Sequence, residues 1–304
     1  MMNSFFEGEN MFRIFRFKHL CIISFVVCST LILISTLNVT KPLSAVSTAT
    51  TANVPAVMYH QICNKNCGDY VLSLKELEED FQYLKDNGIT PVSFRQLKEF
   101  TQKGTPLPEK PLLITFDDGC RSFLTKVVPL LEKYGYPANV NIIGSLAKLY
   151  TENGDTNDAY AYLNENDIKE LSCHPLVEIG CHTYDLHNLS GRRGMAKLQG
   201  ESEDEYINFI KEDIKKFDDL FYEITGDKLS VFAYPYGIKN DILPRILEES
   251  GYKIILTSGE RINKLSVGSS LTEIGRFNRP HGIKSDEFFA DLFPIANGSA
   301  NVYN

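Results

Sequence analysis

From residue 54 onward, short runs of consecutive apolar residues alternate with longer stretches in which apolar positions recur every three or four residues. The runs at 54–59, 111–116, 139–143, 177–181, 231–234, 253–257 and 271–277 predict strands. Their near-continuous apolar character predicts burial on both faces, as in a parallel sheet covered by helices. The periodicity between them predicts helices at 74–87, 94–102, 123–134, 165–171, 202–225, 241–250 and 285–292. The first opens on Ser73-Leu-Lys-Glu76, where serine and glutamate satisfy each other's backbone N–H groups, and it stops at Asn87-Gly88. About seven strand-helix units in about 250 residues predict an α/β fold, a distorted (β/α) barrel in preference to an open doubly wound sheet. Either architecture gathers function at the carboxyl ends of the strands. Two stretches break the rhythm: 150–162, rich in Asn, Asp and Gly, and 190–205, where Arg192-Arg193 precedes four acids. Both read as solvated loops.

The amino-terminal stretch is patterned differently. Residues 20–39 carry no charge and follow Arg13, Arg16 and Lys18. About 20 apolar residues behind a basic flank is the length that spans a bilayer, with the flank on the cytoplasmic side. The expected organisation is a cytoplasmic segment at 1–19, a transmembrane anchor or signal segment at 20–39, a Ser/Thr/Ala-rich linker at 40–53 and an exported domain at 54–304. Leu43-Ser44-Ala45 is a candidate cleavage site, although the length of the apolar run favours an uncleaved anchor. The expected location is the cell membrane with the domain outside the cytoplasm, or the exterior if the segment is removed.

With 43% hydrophobic and 23% charged residues, the composition is that of an ordinary globular chain. A net charge of −8 without a Lys/Arg stripe argues against a nucleic-acid partner. No protein partner is inferred. Of the seven cysteines, Cys21 and Cys28 fall in the apolar run, and Cys63 and Cys67 are spaced to close a small disulfide in an oxidising compartment. No second pair at similar spacing exists to complete a zinc knuckle.

The candidate chemistry lies at two strand ends. Leu112-Leu-Ile-Thr-Phe-Asp-Asp-Gly119 runs from an apolar strand into adjacent carboxylates, Asp117 and Asp118. Such a pair repels itself unless a cation or a shared proton intervenes. Gly180-Cys-His-Thr-Tyr-Asp-Leu-His187 ends another strand with His182 and His187. Two imidazoles and one carboxylate make a divalent-cation site with a coordination position left open for water. The remaining carboxylate is then free to act as a base. A spacing of five excludes the helical His-Glu-x-x-His arrangement, which needs ligands on one helix face.

These motifs resemble the polysaccharide deacetylases, carbohydrate esterase family 4, also called the NodB-homology domain, and are most similar to its poly-N-acetylglucosamine deacetylase branch. Thr115-Phe-Asp-Asp-Gly119 resembles the first family motif, which implies Asp117 as catalytic base and Asp118 as metal ligand. His182-Thr183 with His187 resembles the second, implying two histidine ligands. Phe232-Ala-Tyr-Pro-Tyr-Gly237 looks like the third, implying that the backbone N–H of Tyr236 holds the developing oxyanion. Val57-Met-Tyr-His60 looks like the strand that opens many members of this branch. The general acid is either His60 or His281. The third motif usually carries an arginine that orients the base, and Ala233 stands in its place; the chain also has no tryptophan for the family's aromatic wall. Cys120 and Cys181 read as small buried residues and His174 as structural.

The resemblance implies a divalent metal, zinc first, with cobalt, nickel or manganese as alternatives. It implies hydrolysis of N-acetyl groups on an N-acetylated polysaccharide, either peptidoglycan or poly-N-acetylglucosamine. The alternatives are an O-acetyl esterase on acetylated xylan and a catalytically silent glycan-binding domain. A glycosidase fits poorly, because its two carboxyls must flank the scissile bond about 5–9.5 Å apart.

Overall fold

The computed structural model describes residues 51–293. The apolar segment at 20–39 and nearly all of the 40–53 linker lie outside the described residues. Among the described residues, no helix is long and apolar enough to cross a membrane.

Nine strands make the main sheet: β1 (Ala56–Tyr59), β2 (Thr90–Pro91), β3 (Pro111–Phe116), β4 (Ala138–Ile142), β5 (Val177–Cys181), β6 (Val231–Ala233), β7 (Ile254–Leu256), β8 (Leu271–Ile274) and β9 (Phe277–Asn278). Their order is β8-β7-β6-β5-β4-β3-β1-β9, and β2 joins the start of β3. Every pairing in this sheet is parallel. The helices are α1 (Leu74–Asp86), α2 (Phe94–Lys103), α3 (Val128–Tyr134, after a π turn at Phe123–Val127), α4 (Gly144–Asn153), α5 (Glu165–Ser172), α6 (Glu203–Thr225), α7 (Leu243–Glu249) and α8 (Ser285–Leu292).

Chain connectivity forces the sheet to curl. Its outer strands, β8 and β9, are consecutive and separated only by Gly275 and Arg276. Eight strands laid flat span roughly 34 Å at about 4.8 Å each, whereas the three Cα steps from Ile274 to Phe277 reach at most about 11 Å. The edges therefore meet at a seam, giving a curled, incompletely hydrogen-bonded (β/α) barrel. The run expected at 271–277 is broken by this seam. The run expected at 54–59 is broken at Pro55, where the chain leaves an outlying pairing of Thr51–Val54 with Asn263–Ser266.

Alternation along the strands sorts side chains into two layers. Val57, Tyr59, Ile114, Phe116, Phe232 and Ile255 face the large cluster beneath the helices. Ala56, Leu113, Val231, Ala233 and Ile254 face a smaller inner cluster, joined by Phe94, Leu97 and Phe100 of α2. Because α2 packs against early strand residues, it plugs the amino end of the barrel. Glu178, on β5, accepts hydrogen bonds from the first N–H groups of that helix, Phe94 at 2.6 Å and Arg95 at 3.0 Å. With one end plugged, polar chemistry is left to the carboxyl end.

The helices begin where local chemistry allows. Ser73 with Glu76, Ser93 with Gln96, Asn164 with Asp167 and Ser202 with Glu205 all form reciprocal capping boxes. Helix α4 occupies the start of the expected 150–162 loop; it buries only Gly144 and Ala147, too weak an apolar stripe to announce a helix.

Candidate active site

Strand β3 delivers the two carboxylates in different directions. The Asp117 N–H extends the ladder by donating to the Tyr59 carbonyl at 2.9 Å. Asp118 and Gly119 then turn through the left-handed region, with φ of 71° and 72°. Asp117 continues the inward set of Leu113 and Thr115. Its Oδ1 accepts from Asn141 Nδ2 and Arg276 Nη1, both at 2.7 Å, and its Oδ2 accepts from Arg276 Nη2 at 2.7 Å. Arg276 is 1% exposed and also donates to Thr115 Oγ1 at 3.2 Å and the Thr257 carbonyl at 3.1 Å. Burial favours a protonated Asp117, but the Arg276 guanidinium overrides it and holds the carboxyl well below the usual carboxylate range. Gly180 leaves room for Asn141, since a Cβ there would sit 2.1 Å from Asn141 Oδ1.

Arg276 is the functional residue that sequence reasoning missed. Ala233 does stand in the third motif without a guanidinium, and its side chain lies in the inner apolar cluster. The guanidinium arrives instead from the seam, 159 positions from Asp117 along the chain.

Asp118 meets His182 and His187. Its Oδ1 lies 3.5 Å from His182 Nε2 and 3.3 Å from His187 Nε2, and one ligand atom from each residue falls within 4.8 Å of the others. The far nitrogen of each ring is also engaged. His182 Nδ1 lies 2.8 Å from the Ala233 carbonyl, and His187 Nδ1 lies 3.2 Å from the Tyr236 hydroxyl. Burial raises the pKa of Asp118 and lowers that of both histidines, which leaves the imidazoles neutral. Asp118 Oδ1 is buried and has no hydrogen-bond partner among the described residues. An orphaned carboxylate oxygen facing two imidazole lone pairs is the donor set a divalent cation takes, so the residues fit a metal.

The turn between the histidines is braced from below. Thr183 is left-handed, with φ of 72°, and its hydroxyl accepts the Leu186 N–H at 3.1 Å. Asp213, on α6, accepts the N–H groups of Tyr184 and Asp185, each at 2.8 Å. The spacing of five is thus a turn capped by a carboxylate from the longest helix among the described residues.

His60, which follows β1, lies close enough for its charge to lower the pKa of both Asp117 and Asp118. Its ring meets Tyr70 edge-on at 4.8 Å, and its Nδ1 is buried with no partner among the described residues. His281 is not brought to the cluster. Its Nδ1 pairs with Glu76 Oε2 at 2.7 Å, at the capping box of α1, and its side chain is 43% exposed. The expectation that either histidine faces the carboxylates therefore narrows to His60. The His281 N–H donates to the Gly68 carbonyl at 3.1 Å while its ring pairs with Glu76, and these contacts hold His281 by the start of α1. Tyr236 lies in the Pro235–Gly237 turn with φ of 56° and ψ of 13°.

Cys120 and Cys181 are buried, and burial pushes both thiols upward, away from the thiolate that ligates metal. Cys63 and Cys67, spaced so that a disulfide could join them, are unbridged in this structure, with Cys67 Sγ 3.3 Å from the Cys63 carbonyl. His174 packs by Glu132 at 3.3 Å, on the helical exterior. The 150–162 stretch is tied to the β3 turn by Arg121, which pairs with Asp158 at 3.1 Å and Asp167 at 3.2 Å, and by the bridge between Cys120 and Tyr162.

Fold and site together define a parallel (β/α)-barrel protein with a candidate metal centre beside an arginine-held carboxylate. The polysaccharide deacetylase family model matches residues 104–255, and the chain belongs to that family, whose members hydrolyse C–N bonds other than peptide bonds. The chain is 28% identical over 246 residues to the poly-β-1,6-N-acetyl-D-glucosamine N-deacetylase of Escherichia coli (strain K12), covering 74% of this chain and 37% of that protein. It is 27% identical over 197 residues to the Staphylococcus aureus (strain N315) enzyme of the same name, covering 64% of each. Among solved structures, the fold matches a de-N-acetylase from Aggregatibacter actinomycetemcomitans with a TM-score of 0.66 at 23% identity, covering 77% of this chain and 96% of that one. It also matches IcaB from Ammonifex degensii with a TM-score of 0.63 at 24% identity, covering 75% and 92%.

Proposed function

We propose that this chain is a metal-dependent N-deacetylase of N-acetylglucosamine-containing polysaccharide, poly-N-acetylglucosamine or peptidoglycan, working outside the cytoplasm from a membrane anchor at residues 20–39. The carrying observation is Asp117, anchored by Arg276 and Asn141, beside the Asp118, His182 and His187 cluster. Two relatives named as poly-β-1,6-N-acetyl-D-glucosamine N-deacetylases support the substrate class.

Asp118, His182 and His187 would hold the cation, and the donor set suits zinc. Bound there, a divalent cation supplies Lewis-acid polarisation of the acetyl carbonyl and makes water acidic enough for so weak a base as a salt-bridged carboxylate. Asp117 accepts the proton of the attacking water. Its Oδ1 already takes two hydrogen bonds and its Oδ2 one, so Oδ2 is the oxygen with room for the incoming proton. Arg276 and Asn141 fix its aim. The Tyr236 backbone N–H donates to the acetyl oxygen as negative charge develops on it. His60 gives a proton to the leaving amine as the C–N bond breaks, releasing acetate and a free amino sugar.

The silent-domain alternative drew its force from Ala233. With Arg276 supplying the guanidinium from the seam, no observation favours that reading. Acetate release by metal-stripped and metal-restored protein tests the proposal on poly-N-acetylglucosamine, peptidoglycan strands, chitooligosaccharides and acetylxylan. Release from N-acetylglucosamine polymers only after metal is restored is the expected result. Release from acetylxylan alone moves the assignment to an O-acetyl esterase, and no release from any glycan overturns it.

A further inference from the structure

We infer that Tyr236 also serves the site through its side chain, its hydroxyl being the outer partner that accepts the Nδ1 proton of His187 when Nε2 is a ligand and so positions that ring for the cation. The inference rests on the metal-site reading above.

The two histidines are held by unlike means. A carbonyl only accepts, so the 2.8 Å contact between His182 Nδ1 and Ala233 places the ring proton on Nδ1 and turns the Nε2 lone pair toward Asp118. Backbone alone fixes that tautomer. His187 has a side chain at the same position, the Tyr236 hydroxyl, 3.2 Å from Nδ1. Ligation through Nε2 needs the proton on Nδ1, where the phenol oxygen accepts it.

Tyr236 is built to stay there. Its ring centroid lies 4.5 Å from that of His187 at a tilt of 33°, so the hydroxyl cannot swing away without breaking the ring contact. On the other side, a Cβ at Gly194 would come within 3.2 Å of Tyr236 Cδ2, and the Arg193 guanidinium stands 5.9 Å from the ring centroid. The left-handed backbone at Tyr236, φ 56°, is a strained conformation for a side-chain-bearing residue and persists where the surroundings over-determine it. Gly237 N–H to the Tyr234 carbonyl at 3.0 Å and Ile238 N–H to the Pro235 carbonyl at 3.1 Å lock the turn that presents it.

Tyr236→Phe keeps the ring, the turn and the backbone N–H and removes only the oxygen. Lost outer-shell partners typically weaken metal affinity about 10- to 100-fold. The expected result is a rise of that size in the Zn²⁺ dissociation constant, titrated into metal-stripped protein, with no change in the metal-free thermal midpoint. Wild type and Asp118→Ala belong in the same titration. If wild type binds no Zn²⁺, or Asp118→Ala binds it undiminished, the metal-site reading fails and this inference falls with it. If Asp118→Ala loses Zn²⁺ while Tyr236→Phe matches wild type, the inference alone is overturned.

Discussion

Asp117 lies with three hydrogen bonds on its carboxylate, two from Arg276 and one from Asn141, whereas Asp118 turns a buried oxygen toward two imidazoles and receives no hydrogen bond there. One peptide bond separates them, and one left-handed residue sends them to different surroundings. The difference shows two answers to the same electrostatic problem. Asp117 has its counter-charge inside the fold, so its carboxyl is held well below the usual range without help from a bound cation. Asp118 has no hydrogen-bonded ion pair of that kind, so burial outweighs the pull of the nearby imidazoles and of Arg276 and raises its pKa. A carboxylate that the fold completes is suited to be a base, and one that the fold leaves incomplete is suited to be a ligand.

Exchanging the two carboxylates in turn gives the largest break in this contrast. Asp118→Ala is expected to lose Zn²⁺ binding and acetate release together. Asp117→Asn is expected to keep Zn²⁺ binding while activity falls about 10²- to 10⁴-fold, the span of general acid–base catalysis. Calorimetric metal titration alongside the acetate assay reads both. An active Asp117→Asn protein removes Asp117 from the role of base.

Arg276→Met comes next. It strips the counter-ion from a buried carboxylate, an effect of about 3–5 kcal/mol measured by urea denaturation at neutral pH. Asp117 sits below the ordinary carboxylate range in the fold, so its pairing stabilises the protein fully above that range. That stability is lost as pH falls through the range toward the folded-state value. The gap between wild type and Arg276→Met should therefore narrow in acid. An unchanging gap from pH 7 to pH 3 speaks against charge as the cause.

The smallest effect sharpens the choice of acid. His281→Ala removes an exposed pair with Glu76, worth at most about 1 kcal/mol, and should leave acetate release unchanged. His60→Ala should lower the rate about 10²-fold or more. Equal losses in the two variants would return His281 to contention.

The parts of this site legible in the sequence are those that local chain geometry makes. Asp117, Asp118, His182, His187 and Tyr236 lie at or just after strand ends, where short motifs fix both residue type and direction. Arg276 was hidden because only closure of the barrel brings it near Asp117. The signals available were the missing arginine at Ala233 and the glycine before Arg276, where a Cβ would lie 2.4 Å from the Gly259 carbonyl. The same non-locality left His60 and His281 indistinguishable, since each follows a strand and only the folded protein shows which has Glu76 for a partner. Of the fold, the strands and capped helices were legible from periodicity and end signals. Helix α4 was not, because it presents no regular apolar stripe, and the helix expected at 123–134 gave no sign that its first turn is a π turn.

The seam at Gly275 and Arg276 ties competence to completion. A chain emerging from the ribosome has made every family motif before it makes Arg276, and until then Asp117 and Asp118 share one turn with no guanidinium between them. The last strand of the sheet in chain order covers the open edge of β1 and brings with it the guanidinium that pairs with Asp117. Truncation just ahead of the seam would leave the recognisable signature of the family intact in a protein without its working carboxylate, so the signature is a record of ancestry and the seam the guarantor of reactivity.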